Sequence, residues 1–486
     1  MVSIRTSLAF AFLERFLLLG LQIASFALIA RLLTPQQVGL YSVALAVIGI
    51  AQVVRDFGIA NFLVQRKELD ATHIGSAFGL TLILGVGLFA IVTFAAPFVG
   101  RFYNDDGMSG IVRLIACNFL ILAFNSIALA LLRREMNFKT LMRLNVCAAL
   151  IGTSTTLSLA WAGMGAWSLA WGEIASNLSI AIGACVVRRG HVFPRPCLTH
   201  WRTILEFGGK LTASNIVTSI SMDINDLALG KIMGFAPVAI VSRAQGLMNL
   251  FHRDFMGTVR GVAFPAFSKA HRDGDSVEAR FVSSLGMVTA IAWPFYGFVA
   301  MFPLDILHIV FGPQWDSAAP LVPYFCLTGA LVVNASLIPT AMIAVGRPNL
   351  AAMADLVVQP IKAIVLILVI YHFRALEPFA IGFLAVSAAA VPFFYAVKQR
   401  CLPTDFKEIG RILVSNLWLT LVTLLPAFVI LRAASDSKLQ WTYLHFFACV
   451  AATGVAWLLA LWRLDHALYR EGVSIFRAKF GHKRQS

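Results

Sequence analysis

The stretch ALIARLLTPQQVGLYSVALA, residues 27–46, has a second copy two hundred residues further along: LALGKIMGFAPVAIVSRAQG, residues 227–246. Each copy reads as the end of an apolar helix, one cation, a short breaker containing proline and a second apolar helix. The cations Arg31 and Lys231 fall in register. An internal repeat of this length indicates two equivalent lobes built around the same helical hairpin.

The composition places the chain in a membrane. Hydrophobic residues make up 59% of its 486 residues and charged residues 13%, about half of the roughly 25% charge of a soluble domain. Apolar runs recur from end to end at the length that crosses a hydrocarbon core, and they predict an all-α polytopic membrane protein with about 14 transmembrane helices.

Lysine and arginine set the predicted topology. They concentrate in alternate loops, which places both termini on the cytoplasmic side of the membrane. The net charge of +15 is then explained by topology, and nucleic-acid binding is not expected. An even number of spans precedes the second copy, which predicts two parallel six-helix lobes related by a pseudo-two-fold axis along the membrane normal. The predicted segments are an N-lobe (1–190), a cytoplasmic linker (191–206), a C-lobe (207–400), two further helices (401–465) and a basic cytoplasmic tail (466–486).

Enzyme and metal motifs are missing from the sequence. The seven cysteines are scattered without a CxxC pair, so no disulfide or metal framework is expected. There is no phosphate-binding GxxxxGK[ST] loop, no GxSxG elbow and no HExxH pair. We therefore expect a protein that is not an enzyme and has no cofactor, with H⁺ or Na⁺ as the candidate coupling ions.

Polar side chains follow helical spacing in the first, second, seventh and eighth predicted spans, which contain the repeat. A charge at mid-membrane costs about 2.5–3.5 kcal/mol on insertion scales, so it normally faces a cavity or a partner. We interpret these stripes as the lining of a water-filled cleft between the lobes. The alternative is that they join helices to each other. The predicted polar lining is Gln22, Ser25, Ser42, Gln52, Asn215, Ser219, Gln245 and Asn249.

Ionisable residues in the same spans are the candidates for binding and coupling. Since a guanidinium stays charged, we expect Arg15 and Arg243 to face a cavity. Cations near span ends can instead extend to the interface. The Asp355/Lys362 pair is a further candidate for binding or coupling, or it has a structural role. The predicted cationic cleft is Arg15, Arg31, Arg55, Lys231 and Arg243, and the candidate ion-coupling carboxylates are Glu14, Glu173, Asp223 and Asp226.

Several stretches resemble one family. ARLLTPQQVGLYSVA, FGIANFLVQRKELDATHIGSAF, RREMNFKTLMRLN and IVSRAQGLMNLFHRDF are similar to bacterial polysaccharide flippases. These form the polysaccharide-transporter branch of the multidrug/oligosaccharidyl-lipid/polysaccharide superfamily. The similarity covers almost the whole chain. Val241 and Lys231 depart from the aromatic residue and the arginine that are common there.

The resemblance implies a flippase for a polyprenyl-diphosphate-linked oligosaccharide. It would move the repeat unit across the inner membrane by alternating access, for O-antigen, capsule or exopolysaccharide synthesis. Membrane lipid, a polysaccharide polymerase and export machinery are the implied partners. Arginine's planar fork suits diphosphate oxygens. Two alternatives stay open: a cation-coupled multidrug antiporter of the same fold, expected to have an acidic aromatic cleft, and a membrane polymerase or ligase, expected to have a large periplasmic loop.

Overall fold

The computed structural model describes residues 4–66, 68–187, 195–436, 443–471 and 473. Most of the described residues are in helices, and the described ranges contain no β-strand. The all-α class is therefore confirmed. Part of the predicted linker and most of the predicted tail lie outside the described residues.

The helices of the first half begin with the predicted hairpin. In chain order they are α1 (Ile4–Leu32), α2 (Pro35–Asp56), α3 (Ile59–Gln65), α4 (Ala71–Tyr103), α5 (Asp106–Arg134), α6 (Phe138–Trp161) and α7 (Ala166–Val187).

The second half contains one π-helical turn, Leu250–Phe255, and two short 3₁₀ segments, Pro313–Leu321 and Val333–Ala335. Its α-helices are α8 (Trp201–Met233), α9 (Phe235–Asn249), α10 (Met256–Asp273), α11 (Val277–Met301), α12 (Pro303–Val310), α13 (Val322–Val332), α14 (Ile338–Ala344), α15 (Pro348–Phe373), α16 (Leu376–Lys398), α17 (Phe406–Asp436) and α18 (Tyr443–Arg463).

Both copies of the repeat form a helix, a tight turn and a second helix. In the first copy Thr34 caps α2: its hydroxyl accepts from the Gln37 backbone N–H, and the Gln37 side chain accepts from the Thr34 N–H at 3.0 Å. This reciprocal pair satisfies two N–H groups that a helix start leaves open. In the second copy Gly234, at φ 91°, joins α8 to α9. Glycine suits that position because it has no Cβ to clash at positive φ.

Eleven helices in the described part of the chain are long and apolar enough to cross a membrane. The number is twelve if the bent pair 35–49 and 51–65 is one span. The polytopic class is confirmed, and the count of 14 is not. The predicted seventh and eighth spans are absent from the eleven. The helix α8 carries Asp223, Asn225 and Asp226 within its apolar part, and α9 gives way to the π turn after 15 residues.

The chain divides into two compact units. The first contains residues 1–240 and 310–314, and the second contains residues 241–309 and 315–486. In the first unit α8 packs along α2 so closely that a Cβ at Gly49 would collide with the Asp223 carboxylate. The first unit thus continues beyond residues 191–206, where the sequence places the linker. The division into repeated lobes stays a prediction.

Each unit has its own core. In the first, Phe62, Phe78 and Ile204 belong to one buried cluster, which joins the start of α8 to α3 and α4. In the second, the Asn416 amide donates to the carbonyl of Gly286 at 2.8 Å and lies 2.6 Å from the Thr289 hydroxyl, joining α17 to α11. Buried amides need such partners because an unsatisfied group costs about 1–3 kcal/mol. These bonds therefore fix α17 against α11.

Candidate functional site

Two predicted residues of α1 join helices. The Glu14 carboxylate accepts a hydrogen bond from the Asn145 amide at 2.6 Å, and the Ser25 hydroxyl lies 2.9 Å from that of Thr153. Both partners are on α6. Ser25 also donates to the Leu21 carbonyl of its own helix at 2.6 Å. Its hydroxyl is fully engaged, as the alternative interpretation of the polar stripe expects.

The carboxylates of α7 and α8 lie among polar groups of the first unit. Tyr41 on α2 donates its hydroxyl hydrogen to Glu173 at 2.8 Å, and both residues are half-buried. Asp223 and Asp226 are half-buried on α8, and their charges act on each other. Two carboxylates sharing a site favour the binding of one cation or proton between them. Their role in coupling stays a prediction.

The remaining polar residues predicted on α2 and α8 have partners in their own helix or are half-buried. Ser42 donates to the Val38 carbonyl at 3.0 Å, within its own helix. Arg55 forms an ion pair with its neighbour Asp56 at 2.5 Å. Gln52 and, on α8, Ser219 are half-buried, whereas Asn215 lies outside the side chains that the structure describes.

Three predicted cations of the first unit are exposed on its surface. Arg15 and Arg31 lie on α1, where Gln22 is exposed as well. Lys231 donates to the carbonyl of Phe102, and its ammonium lies 4.6 Å from the centre of that ring. Lys231 therefore lies at the end of α8, beside the end of α4. The assignment of these cations to a substrate cleft stays a prediction.

In the second unit Arg243 is buried within α9. It is 9% exposed, and its guanidinium lies 4.8 Å from the centre of the fully buried Trp315 ring. The ring face attracts the cation without removing its charge. Gln245 and Asn249 are half-buried on the same helix.

A second group of cations follows α9 and was only partly found from the sequence. We call His252, Arg260 and Lys362 the basic cluster. The charges of Arg260 and Lys362 both act on the His252 ring. The Lys362 ammonium lies 3.5 Å from the centre of the Phe383 ring. No carboxylate comes within 4.0 Å of it in the described part of the chain.

The π-helical turn positions this cluster. It carries His252, and α10 starts directly behind it with Arg260 two turns further. Such turns occur often at functional sites. The spacing of eight residues is compatible with His252 and Arg260 on one face of a helix, but the sequence does not indicate the switch from α- to π-helix. From the sequence, Lys362 on α15 is predicted only as a partner of Asp355.

One group of potential metal ligands lies at the start of α4. Atoms of Asp70, His73 and His200 come within 4.8 Å of one another. Asp70 caps α4 by accepting from the His73 N–H at 2.8 Å, and the two imidazole rings stack at 4.0 Å with 2° between their planes. Parallel stacked rings cannot both aim an in-plane lone pair at one ion. We therefore describe the group as a helix cap with a stacked pair.

Comparison with solved structures defines the class. The chain has the fold of a multi-span membrane transporter: it superposes on the inward closed conformation of the lipid II flippase MurJ with a TM-score of 0.70. The alignment covers 96% of this chain and 99% of MurJ at 11% sequence identity. At that identity the likeness establishes the fold and nothing further.

Sequence comparison defines the family. The family described as "Polysaccharide biosynthesis protein" matches residues 28–320, and the chain belongs to it. The lipopolysaccharide biosynthesis protein WzxC of Escherichia coli (strain K12) is 25% identical over 324 residues, and the succinoglycan biosynthesis transport protein ExoT of Rhizobium meliloti (strain 1021) is 24% identical over 324 residues. Each alignment covers 65% of this chain and 64% of the relative's length. The resemblance inferred from the motifs is confirmed.

Proposed function

We propose that the protein is a flippase that moves a polyprenyl-diphosphate-linked oligosaccharide across the bacterial inner membrane by alternating access. Its product would serve the synthesis of a lipopolysaccharide O-antigen, a capsule or an exopolysaccharide. Both termini are cytoplasmic in this proposal, and a polymerase and export machinery use the product. The family and the transporter fold support the proposal.

The observation that carries the proposal is the basic cluster. Two cations, Arg260 and Lys362, both act on the His252 ring within helices that pack in a membrane protein, and charges of the same sign repel more strongly there than in water. A bound anion would offset both the repulsion and the cost of desolvation. A diphosphate has several negative oxygens, and arginine can bind two of them at once. The sugar-bearing end of a lipid-linked substrate supplies such an anion.

The membrane potential favours the proposed direction of transport for an anionic headgroup. An anion that leaves an inside-negative cell gains about 2.3 kcal/mol per charge for each 100 mV. The membrane potential alone therefore favours export of the headgroup. The carboxylates Glu173, Asp223 and Asp226 are our candidates for additional coupling to H⁺ or Na⁺.

Complementation of a strain that lacks the gene tests the proposal. We would replace Lys362 by methionine, which is unbranched, one heavy atom shorter and uncharged. Surface polysaccharide should fall about tenfold or more, because a hydrogen bond to a charged group contributes about 1.5–3 kcal/mol. Lipid-linked repeat units should accumulate on the cytoplasmic side.

Two further variants make this test specific. Lys362→Arg should restore export, since it restores the charge. Arg253→Gln is the matched control, because Arg253 is exposed and paired with Asp254 at 3.1 Å. Normal export by Lys362→Met at equal protein abundance would contradict the role of the cluster. Efflux of cationic drugs, with no effect on polysaccharide, would favour the antiporter alternative instead.

A further inference from the structure

A lateral groove lies in the first unit, between the ends of α4 and α8. It has a volume of about 660 Å³, within the roughly 300–1,000 Å³ of clefts that hold small ligands. Its described lining is apolar except for Lys231 at one end and the hydroxyl of Tyr103. Val47, Phe98, Phe102, Ile224 and Ala228 are representative of the walls.

The groove opens toward the membrane. Its wall on α4 belongs to a candidate span, and Phe94, Phe98 and Phe102 form a stripe on that helix at a spacing of four residues. They are 78%, 69% and 55% exposed. Side chains that repeat every four residues share one face of a helix. In a bilayer this face of α4 is surrounded by hydrocarbon. A lipid chain can therefore enter the groove from the membrane.

The charged end of the groove has a fixed geometry. Lys231 donates to the Phe102 carbonyl and lies over the Phe102 ring, so its ammonium is held where α4 and α8 end. In the part of the chain that the structure describes, no carboxylate lies within 4.0 Å of it. A carbonyl and a ring face orient the cation but do not neutralise its charge. An anionic group at the end of a chain complements this arrangement.

We propose that the groove binds a single-chain lipid phosphate, with a polyprenyl chain along α4 and α8 and the phosphate on Lys231. The inference rests on the proposed function, and it adds a binding site for the lipid end of the substrate. The lining residues come from α2, α4 and α8, and the single cation at the end of the groove matches one chain with one phosphate, whereas a phospholipid brings two chains. By the predicted topology, this end of the helices faces the periplasm. The site therefore holds the lipid after the headgroup has crossed.

Binding to purified protein tests the groove apart from transport. The full-length protein in detergent would be titrated with a polyprenyl monophosphate, with the matching polyprenol and with phosphatidylglycerol. Lys231→Gln should weaken binding of the monophosphate about tenfold, the effect of one charge-assisted hydrogen bond, and leave the polyprenol unchanged. Ala228→Phe, which fills the groove, should weaken both. Arg101→Gln, an exposed cation of α4 that does not line the groove, and Ile91→Phe, on the exposed surface of α4, are matched controls and should change neither.

Each outcome decides the proposal. It is overturned if Lys231→Gln and Arg101→Gln bind the monophosphate equally, or if phosphatidylglycerol binds as tightly as the polyprenyl phosphate. A failure of the proposed function has a different signature. In that case polysaccharide export does not depend on the gene at all, while the binding measurements still show whether the groove selects this lipid.

Discussion

The two compact units hold their buried charges in different ways. In the first unit, carboxylates are bound by hydrogen-bond donors: Glu173 by the Tyr41 hydroxyl and Glu14 by the Asn145 amide. In the second unit, two cations lie over rings, Arg243 over Trp315 and Lys362 over Phe383, and a third, Lys398, is paired with the Glu278 carboxylate. A donor satisfies the oxygen to which it is bonded. A ring face holds a cation in place without neutralising its charge.

We propose from this difference that the two units have separate tasks. The second unit offers charge that can bind a diphosphate, and the first offers carboxylates that can exchange a proton or a sodium ion. The predictions below test that assignment, beginning with the largest expected effect.

Removal of both charges of the basic cluster should abolish transport. In Arg260→Met/Lys362→Met, two charge-assisted contacts are lost together, so export should fall by about a hundredfold or more. The measurement is surface polysaccharide per cell at matched protein abundance. Equal charge loss in the first unit, Arg15→Met/Arg31→Met, should reduce export by less than tenfold. A larger loss of export in Arg15→Met/Arg31→Met than in Arg260→Met/Lys362→Met would contradict the assignment of anion binding to the second unit.

Overpacking should affect the two units unequally. A Cβ at Gly39 would collide with the backbone carbonyl of Phe235, whereas one at Gly286 would meet the Cγ2 atom of Ile412 at 3.0 Å. A side chain can rotate away, but the backbone of a helix start cannot. Overpacking costs about 1–3 kcal/mol, and we expect Gly39→Ala at the upper end. Thermal unfolding of the two purified variants should give the lower Tm for Gly39→Ala.

The Tyr41–Glu173 contact should affect coupling more than binding. Tyr41→Phe removes one donor and leaves the aromatic ring in place. If Glu173 exchanges the coupling ion, Glu173→Gln should remove the dependence of transport on pH or sodium, and Tyr41→Phe should shift it. The assay is uptake of lipid-linked substrate into vesicles under imposed ion gradients. Unaltered ion dependence in Glu173→Gln would remove this carboxylate from the mechanism.

The smallest expected effect concerns Asp70 at the start of α4. The His73 backbone N–H and the Thr72 hydroxyl lower the pKa of the Asp70 carboxyl below its ordinary value. A lowered folded-state pKa stabilises the protein above the unfolded pKa of about 3.9, and the contribution is lost as pH falls further. Asp70→Asn should keep the cap while flattening the decline in Tm below pH 4. A decline as steep as in the wild type would contradict this.

The sequence predicted the fold class from features that the membrane itself imposes. Hydrophobic length and repeated helical hairpins are local properties, so the hairpins at Thr34 and Gly234 could be predicted. The number of spans was not confirmed because α8 and α9 are more polar or shorter than a window of apolar residues requires.

The candidate site was harder to predict, because it depends on how helices rotate about their axes. The sequence placed Ser25 in a polar stripe, but only the structure shows its bond to Thr153. Lys362 and Phe383 lie on different helices, and nothing in their spacing indicates that the ammonium packs on the ring. The groove beside Lys231 likewise requires α4 and α8 to end together, a relation between helices that are 128 residues apart in sequence between Tyr103 and Lys231.

The π-helical turn between α9 and α10 has a consequence for how this site arose. Each residue of an α-helix is rotated by about 100° about the helix axis relative to the one before it. A single inserted residue therefore rotates every later side chain by that angle. Leu250–Phe255 absorbs such an insertion without a break in the helical path. Excision of one residue there should restore an uninterrupted α-helix and swing Arg260 about a quarter-turn away from Lys362. A shorter relative that lacks this residue would therefore have to recognise its cargo with a different set of charges.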